Sequence, residues 1–342
     1  MGSVLAERYR RFGENVAGTS PLSERVAVAI SRSDAALRAI EAAPARHRHP
    51  ARVLAALHDL ALAGHAPALA DAYAARDADA AATAAIDVLL RQAVDLTRAP
   101  RPEVTGRATV LHPLVAEAAH RVGADAIGLV DVGCAAGLDL ALDRVAVTYD
   151  DGPTRGAAMS TVRYTASVVK SRPVPPREVP DVVARLGIDL DPIDVADPDQ
   201  ARWLRACLPP DHADKDHREA EIAMARETDA TLLRGDAVDL LPDALARVPG
   251  HALPVVTTTW TLSAFPLEHR LRFLQRLDAA ATDRPVAWVS AEGVGVAPAV
   301  PTMGDRPASG HSILGLVILE HGTLRADAVG RCWSRGRMLS WF

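Results

Sequence analysis

Residues 127–144, IGLVDVGCAAGLDLALDR, constrain what this chain can fold into more than any other stretch. Ile127, Leu129, Val130 and Val132 form a short apolar run rich in β-branched residues, the pattern of a strand buried on both faces. The run passes through Asp131 straight into Gly133, Cys134, Ala135, Ala136 and Gly137, after which Leu138, Leu140 and Leu142 return at a spacing a helix can use. Strand, small-residue turn and helix make up the opening unit of a nucleotide-binding α/β sheet. Small residues matter there because the turn amides are expected to meet the ligand, and a wall of Cβ atoms would hold it off.

A dinucleotide turn carries glycine at its first, third and sixth places. Counted from Gly133, those places hold Gly133, Ala135 and Leu138, so two of them fail. The residues resemble instead the first motif of S-adenosylmethionine-dependent methyltransferases, an acid followed by a Gly-x-Gly-x-Gly turn. Asp131, Gly133 and Gly137 match that motif, and Ala135 stands in place of the middle glycine. The resemblance implies an S-adenosylmethionine site built from Asp131, Gly133, Cys134, Ala135 and Gly137. A tight strand-to-helix turn with no ligand is the simpler alternative.

At 342 residues the chain is long enough for one large or two ordinary domains. Hydrophobic residues make up 49% and charged residues 24%, which supplies ample core, but aromatics are only 4%, so Ala, Val, Leu and Ile must fill it. A net charge of −5 argues against a nucleic-acid partner. Cys134, Cys207 and Cys332 form no C-x-x-C pair, which predicts a reducing compartment and no structural zinc. The start, MGSVLAERYRRFG, has no apolar signal core, and no apolar run approaches spanning length. The expectation is a cytoplasmic protein with no membrane and no nucleic-acid partner, a homodimer being left open.

Residues 1–123 read as all helical, a cap or lid ahead of an α/β core at 124–342. Ser20 caps a helix with Pro21 at its first position, Pro50 starts another that Gly64 stops, and Ala80 to Arg98 is a third. Glu103 and Arg107, four apart, read either as a surface ion pair or as a polar pair projecting toward the ligand. After the glycine turn, Val145–Tyr149 and Ser160–Val169 look like a hairpin inserted at about 145–180. Strands follow at 183–190, 230–234, 254–259 and 286–290, with a helix at 267–280 and a closing antiparallel hairpin at 313–319 and 323–329 joined by His321 and Gly322. The expected fold is therefore α/β, a Rossmann-like, mostly parallel methyltransferase sheet with a C-terminal hairpin and a helical cap.

Asp189, with Asp191 in reserve, lies at the end of the second strand, where a carboxylate can accept both ribose hydroxyls. Asp236 and Ala237 follow the third strand, where an acid can accept the adenine amino group and the next amide can meet a ring nitrogen. Trp260 and Ser263 follow the fourth, beyond the carboxyl end of the sheet where a reacting centre belongs. Glu103, His112 and Glu292 are the candidates for a general base, and Trp260 is equally readable as core packing. His212 and His217 with their neighbouring acids match no metal-ligand spacing, and no metal site is expected.

From about residue 85 onward the succession of motifs resembles the domain of unknown function 2332 family. It is carried by Glu103 to Arg107 with Leu111 and Pro113, then by DVGCAAGLDLALDR (131–144), GIDLDPIDV (187–195), RWLRACLPP (202–210), RGDA (234–237) and WVSAEG (288–293). Pro102 departs from the asparagine expected there. The resemblance implies a methyltransferase-like fold and supplies no activity. The leading reading is an S-adenosylmethionine-dependent methyltransferase acting on a small molecule. Intramolecular cyclisation or elimination on the same fold and a non-catalytic nucleoside-binding scaffold are the alternatives.

Overall fold

Alternation along the central strands decides the layers. In the computed structural model, which describes residues 4–100, 106–150, 152–169 and 172–342, the chain divides into two units: Met1–Glu103 with Asp194–Glu219, and Val104–Ile193 with Ala220–Phe342.

The first unit is helical. Its helices are α1 (Val4–Val16), α2 (Pro21–Arg32), α3 (Asp34–Glu41), α4 (Pro50–Leu62), α5 (Pro67–Ala75) and α6 (Ala78–Arg91). The Ser20 cap is present: its Oγ accepts from Ser23 N at 3.0 Å, with Pro21 at the first helical position. The helix expected to run to Arg98 stops at Arg91, where Gln92 turns extended. The unit also takes in α8 (Pro198–Ala206), which comes after the first five strands of the sheet and before the other six. Within it His58 Nδ1 meets Leu208 O at 2.9 Å and Arg202 pairs with Asp59 at 3.0 Å. Among the described residues no single helix is long and apolar enough to cross a membrane.

The second unit opens with α7 (Arg107–Val122), so the division falls before this helix and not after it, as composition alone suggests. The reason is burial. Val110, Leu111, Leu114, Val115 and Ala118 share one apolar cluster with Ile127, Leu129, Val255 and Val289 of the sheet. Pro113 sits inside α7 and lacks the N–H that would bond the Thr109 carbonyl one turn back. The Tyr149 hydroxyl donates to that carbonyl instead, at 2.6 Å, so the helix carries proline without an orphaned acceptor.

The strands are β1 (Ala126–Val132), β2 (Ala146–Tyr149), β3 (Arg155–Gly156), β4 (Arg163–Val168), β5 (Asp181–Asp189), β6 (Thr231–Arg234), β7 (Leu253–Thr259), β8 (Val286–Gly293), β9 (Ser312–Glu320), β10 (Thr323–Trp333) and β11 (Met338–Trp341). They lie in the order β3-β2-β4-β11-β10-β9-β8-β7-β1-β5-β6. From β6 to β8 all neighbours are parallel, whereas β9 and β10 run antiparallel to their neighbours in the expected hairpin. His321 (φ 48°) and Gly322 (φ 74°) both take positive φ, as a two-residue hairpin turn requires. α9 (Lys215–Arg226) straddles the unit boundary, and α10 (Ala237–Ala246) and α11 (Leu267–Ala280) complete the helices. Odd-numbered Ile127 and Leu129 face α7, while Val130 and Val132 pack with Leu241, Phe273 and Leu277 of α10 and α11.

Two local expectations need correction. The runs at 145–149 and 160–169 pair in parallel, Ala146 with Arg163 through Tyr149 with Ala166. The hairpin is instead β2 with the short β3, and the dozen or so residues between β2 and β4 allow the crossover. The segment after the glycine turn, Leu138–Arg144, is a kinked 3₁₀ stretch and not an α-helix. Leu140, Ala141 and Leu142 are all buried, which no single helical face permits, and Arg185 takes the Leu140 carbonyl that an α-helix would use internally.

Candidate functional site

The parallel strands run β6-β5-β1-β7-β8, so the chain reverses direction across the sheet between β1 and β7. In open sheets of this kind ligands collect outside the carboxyl ends at that switch point. The glycine turn after β1 and Trp260 to Leu262 after β7 meet there. A Cβ on Gly133 (φ 78°) would come within 2.5 Å of Thr261 Oγ1, so glycine is required for the two loops to touch.

Ala135, at the place of the missing middle glycine, takes φ 50°. That conformation costs an L-residue about 1–2 kcal/mol. Hydrogen bonds hold it: Ala135 N donates to Asp189 Oδ2 at 3.0 Å, and Ala135 O accepts from Ile193 N at 2.9 Å. The Gly133 and Cys134 amides donate to Ile188 O (2.8 and 3.3 Å), and Gly137 N donates to Cys134 O (2.7 Å). These amides are spent inside the protein, contrary to the expectation that they face a ligand. The Cys134 side chain is buried in the space left by Gly187, where an added Cβ would lie 2.6 Å from its Sγ.

What this edge offers is carboxylate. Asp131 is 2% exposed; its Oδ1 accepts from Thr257 Oγ1 at 2.6 Å, and its Oδ2 has no hydrogen-bond partner among the described residues. Burial, with the neighbouring charge of Asp139, pushes the Asp131 carboxyl up to about 7. Arg107, at the start of α7, donates Nη1 to Asp139 Oδ2 at 3.0 Å, and its Nε lacks a partner among the described residues. Burial works against that guanidinium charge, and Asp139 and Asp131 outweigh it. Asp143 makes a two-pronged pair with Arg185, both contacts at 2.7 Å.

Glu292, 1% exposed at the end of β8, clamps the loop after β7: its Oε1 accepts from Thr261 N and Leu262 N, both at 3.0 Å. Its Oε2 has no partner among the described residues, and burial pushes its carboxyl up to about 7 against those amides and the charges of Arg270 and Arg107. Trp260 takes φ 54°, an outlier for so bulky a residue, and its Nε1 donates to Ser312 Oγ at 2.9 Å. It also packs against the apolar cluster under α7, as its reading as core packing expects. Beside Ser312, His311 Nε2 lies 2.8 Å from Asp305 Oδ2, and Arg331 grips the same carboxylate. Sequence reasoning missed this group, because its partners lie on the loop and on β10 at spacings that match no motif.

The other expected residues fall into three groups. Asp189 and Asp236 are at the predicted edge with structural work to do. Asp189 Oδ1 accepts from Asp191 N at 2.9 Å while Oδ2 holds Ala135, and Asp191 pairs with Arg234. Asp236 caps α10 through Val238 N (2.9 Å) and Asp239 N (3.3 Å), and Ala237 is the first residue of that helix. His112 is not brought to this edge. It lies more than a turn beyond Arg107 on α7, so it points elsewhere: it is fully buried beside Gly156, with Nε2 3.6 Å from Glu178 Oε2. Burial holds its pKa down at about 4, a neutral imidazole near neutral pH. Glu103 lies outside the described residues.

The raised carboxyls have a consequence for stability. The unfolded chain gives up these protons near the ordinary values of 3.8 and 4.5, the folded chain only near 7. Between those limits the folded state binds more protons, so the protein loses stability as pH rises and levels off above about 7. We expect Tm to fall by roughly 5 °C from about pH 5 to about pH 7.5 on this account. The fall should shrink in Asp131→Asn and Glu292→Gln; equal falls in the variants and the wild type would show that neither group carries it.

Comparison with curated proteins and with solved structures finds no match. A family model described as "Uncharacterized protein conserved in bacteria (DUF2332)" matches residues 6–341. With that match running over nearly its whole length, the chain belongs to the DUF2332 family.

Proposed function

We propose that the switch-point edge binds S-adenosylmethionine and that the protein is a methyltransferase acting on a small molecule. The observation that carries this reading is Asp131: a buried carboxylate near the end of β1, just before the glycine turn, with one oxygen unpartnered among the described residues. A buried acceptor of this kind calls for a charged donor, and an α-ammonium supplies one.

The same edge is a poor fit for a dinucleotide. A pyrophosphate would face Asp131 and Glu292, and the turn leads into a kinked 3₁₀ stretch of 7 residues that lacks the amide array of an α-helix. A ligand carrying a sulfonium and an ammonium suits that charge pattern. Asp131 would hold the ammonium of the aminoacyl end beside the Gly133–Gly137 turn, and the edge that carries Asp189, Asp236 and Ala237 would take the ribose and the base.

When bound, S-adenosylmethionine supplies an electrophilic methyl carbon: an acceptor lone pair forms the new bond, the carbon–sulfur bond breaks, and its electrons stay on sulfur. The chain's own task is alignment, with reacting atoms about 3–3.5 Å apart. The loop from Trp260 to Leu262, held by Glu292 and Ser312, would do that work. The reading is tested by incubating the protein with methyl-tritiated S-adenosylmethionine and a bacterial small-molecule extract. Label is expected in a low-mass product distinct from the cofactor; label found only in cofactor breakdown products would contradict methyl transfer.

A further inference from the structure

We propose that Glu292 is the catalytic base of the acceptor subsite and that the acceptor is a primary or secondary amine. This rests on the S-adenosylmethionine reading above.

Three observations lead to it. The first is that the free oxygen of Glu292 is built in: the side chain is 1% exposed, Oε1 is fixed by the Thr261 and Leu262 amides, and Oε2 has no partner among the described residues. A carboxylate clamped through one oxygen presents the other in a fixed direction, and leaving it unmet costs desolvation. The second is the charge balance of this edge. Among the described residues, Asp131, Asp139 and Glu292 are acids acted on by the buried guanidinium of Arg107, and Arg270 of α11 also acts on Glu292. One ligand ammonium at Asp131 still leaves Glu292 Oε2 without a donor among the described residues.

The third is Trp260, one strand over from Glu292. Its indole is set by an uncommon backbone conformation and by the bond to Ser312, and its amide donates to Ala291 O at 3.0 Å, next to Glu292. An aromatic face and a carboxylate are the two groups that recognise an ammonium, and Trp260 and Glu292 stand at the ends of neighbouring strands. An anionic acceptor would meet repulsion at this rim, and a purely apolar one would leave Oε2 unmet.

The chemistry balances within the protein. An N–H proton passes from the protonated acceptor nitrogen to Glu292 Oε2, leaving a neutral amine with its lone pair free and a neutral carboxylic acid. The proton returns to water after product release, and no oxidant or reductant takes part. A carboxyl poised near neutrality suits that exchange.

The test uses two adenosine probes in which nitrogen replaces the sulfur and carries the amino-acid chain, one with a 2-aminoethyl arm and one with an isosteric n-propyl arm. Affinities are measured by calorimetry near neutral pH for the full-length protein and for Glu292→Gln, each relative to S-adenosylhomocysteine, so that a loss of folded protein cancels. Glutamine keeps a carbonyl oxygen for the two loop amides. The wild type is expected to prefer the amine arm at least tenfold, and the variant to lose that preference. Equal affinity of the two arms in the wild type, or a preference that survives in Glu292→Gln, would overturn the amine assignment. Binding of neither probe nor of S-adenosylhomocysteine would overturn the cofactor reading itself, and this inference with it.

Discussion

Asp131→Asn is expected to weaken S-adenosylmethionine binding about a hundredfold while the protein stays folded. The asparagine oxygen can still accept from Thr257 Oγ1, so the link between β1 and β7 survives. What changes is the other atom: an acceptor with a spare lone pair becomes an NH₂ donor beside the guanidinium of Arg107. Losing a desolvated charge pair of this kind costs about 3 kcal/mol, which corresponds to about two decades in the dissociation constant. The same substitution removes a buried carboxyl with an unmet oxygen, so stability toward urea near neutral pH should hold or rise. Calorimetric titration and urea unfolding of the same preparation separate the two effects. Unchanged affinity would remove Asp131 from the site.

Gly336→Ala should unfold or nearly unfold the second unit, at a cost of about 3–5 kcal/mol. Gly336 has φ 92°, and a Cβ there would lie 2.3 Å from Gly106 O and 2.9 Å from Thr109 Oγ1. Gly106 (φ 99°) is equally confined, since a Cβ on it would lie 2.9 Å from Arg335 O. Two backbone segments more than two hundred residues apart therefore cross with no room for side chains, and Thr109 Oγ1 ties them by donating to Gly336 O at 2.7 Å. The added methyl must push one backbone off the other, in addition to the strain of a left-handed alanine. Gly106 caps α7, whose first residue is Arg107, so any protein that still folds should also lose the Arg107–Asp139 pair and with it cofactor affinity. Urea unfolding measures the cost; a loss under about 1 kcal/mol would mean that the crossing gives way freely.

This crossing also shows why part of the fold could be read from sequence and part could not. The strands at 126–132, 253–259 and 286–293 announce themselves by apolar runs, and the last hairpin by His321 and Gly322, because those signals are local. Nothing near Gly106 says that Gly336 lies against it. β11 escaped notice for the same reason: four residues, MLSW, become a strand only because β10 and β4 flank them. The parallel pairing of β2 with β4 was read as a hairpin because adjacency along the chain favours that reading.

At the candidate site, the residue types named by motif lie at the switch-point edge, but several bonds differ from those expected. The turn amides are consumed by Ile188, Asp189 and Cys134, and Asp189 and Asp236 double as a turn anchor and a helix cap. Arg107, read from its spacing as a partner of Glu103, pairs with Asp139 from the far side of the glycine turn. His112 and Glu292 are both candidates for a base by sequence; both are buried, and what separates them is place, His112 on α7 beside Gly156 and Glu292 at the carboxyl end of β8.

Calorimetric titration of the full-length protein with S-adenosylmethionine and S-adenosylhomocysteine, with NAD as control, tests the central claim most directly. Micromolar binding of the first two, tightening as pH rises through about 7 and Asp131 ionises, with no heat from NAD, is the expected result. Absence of binding by all three, or binding of NAD alone, would contradict it and leave the glycine turn as a device of folding only.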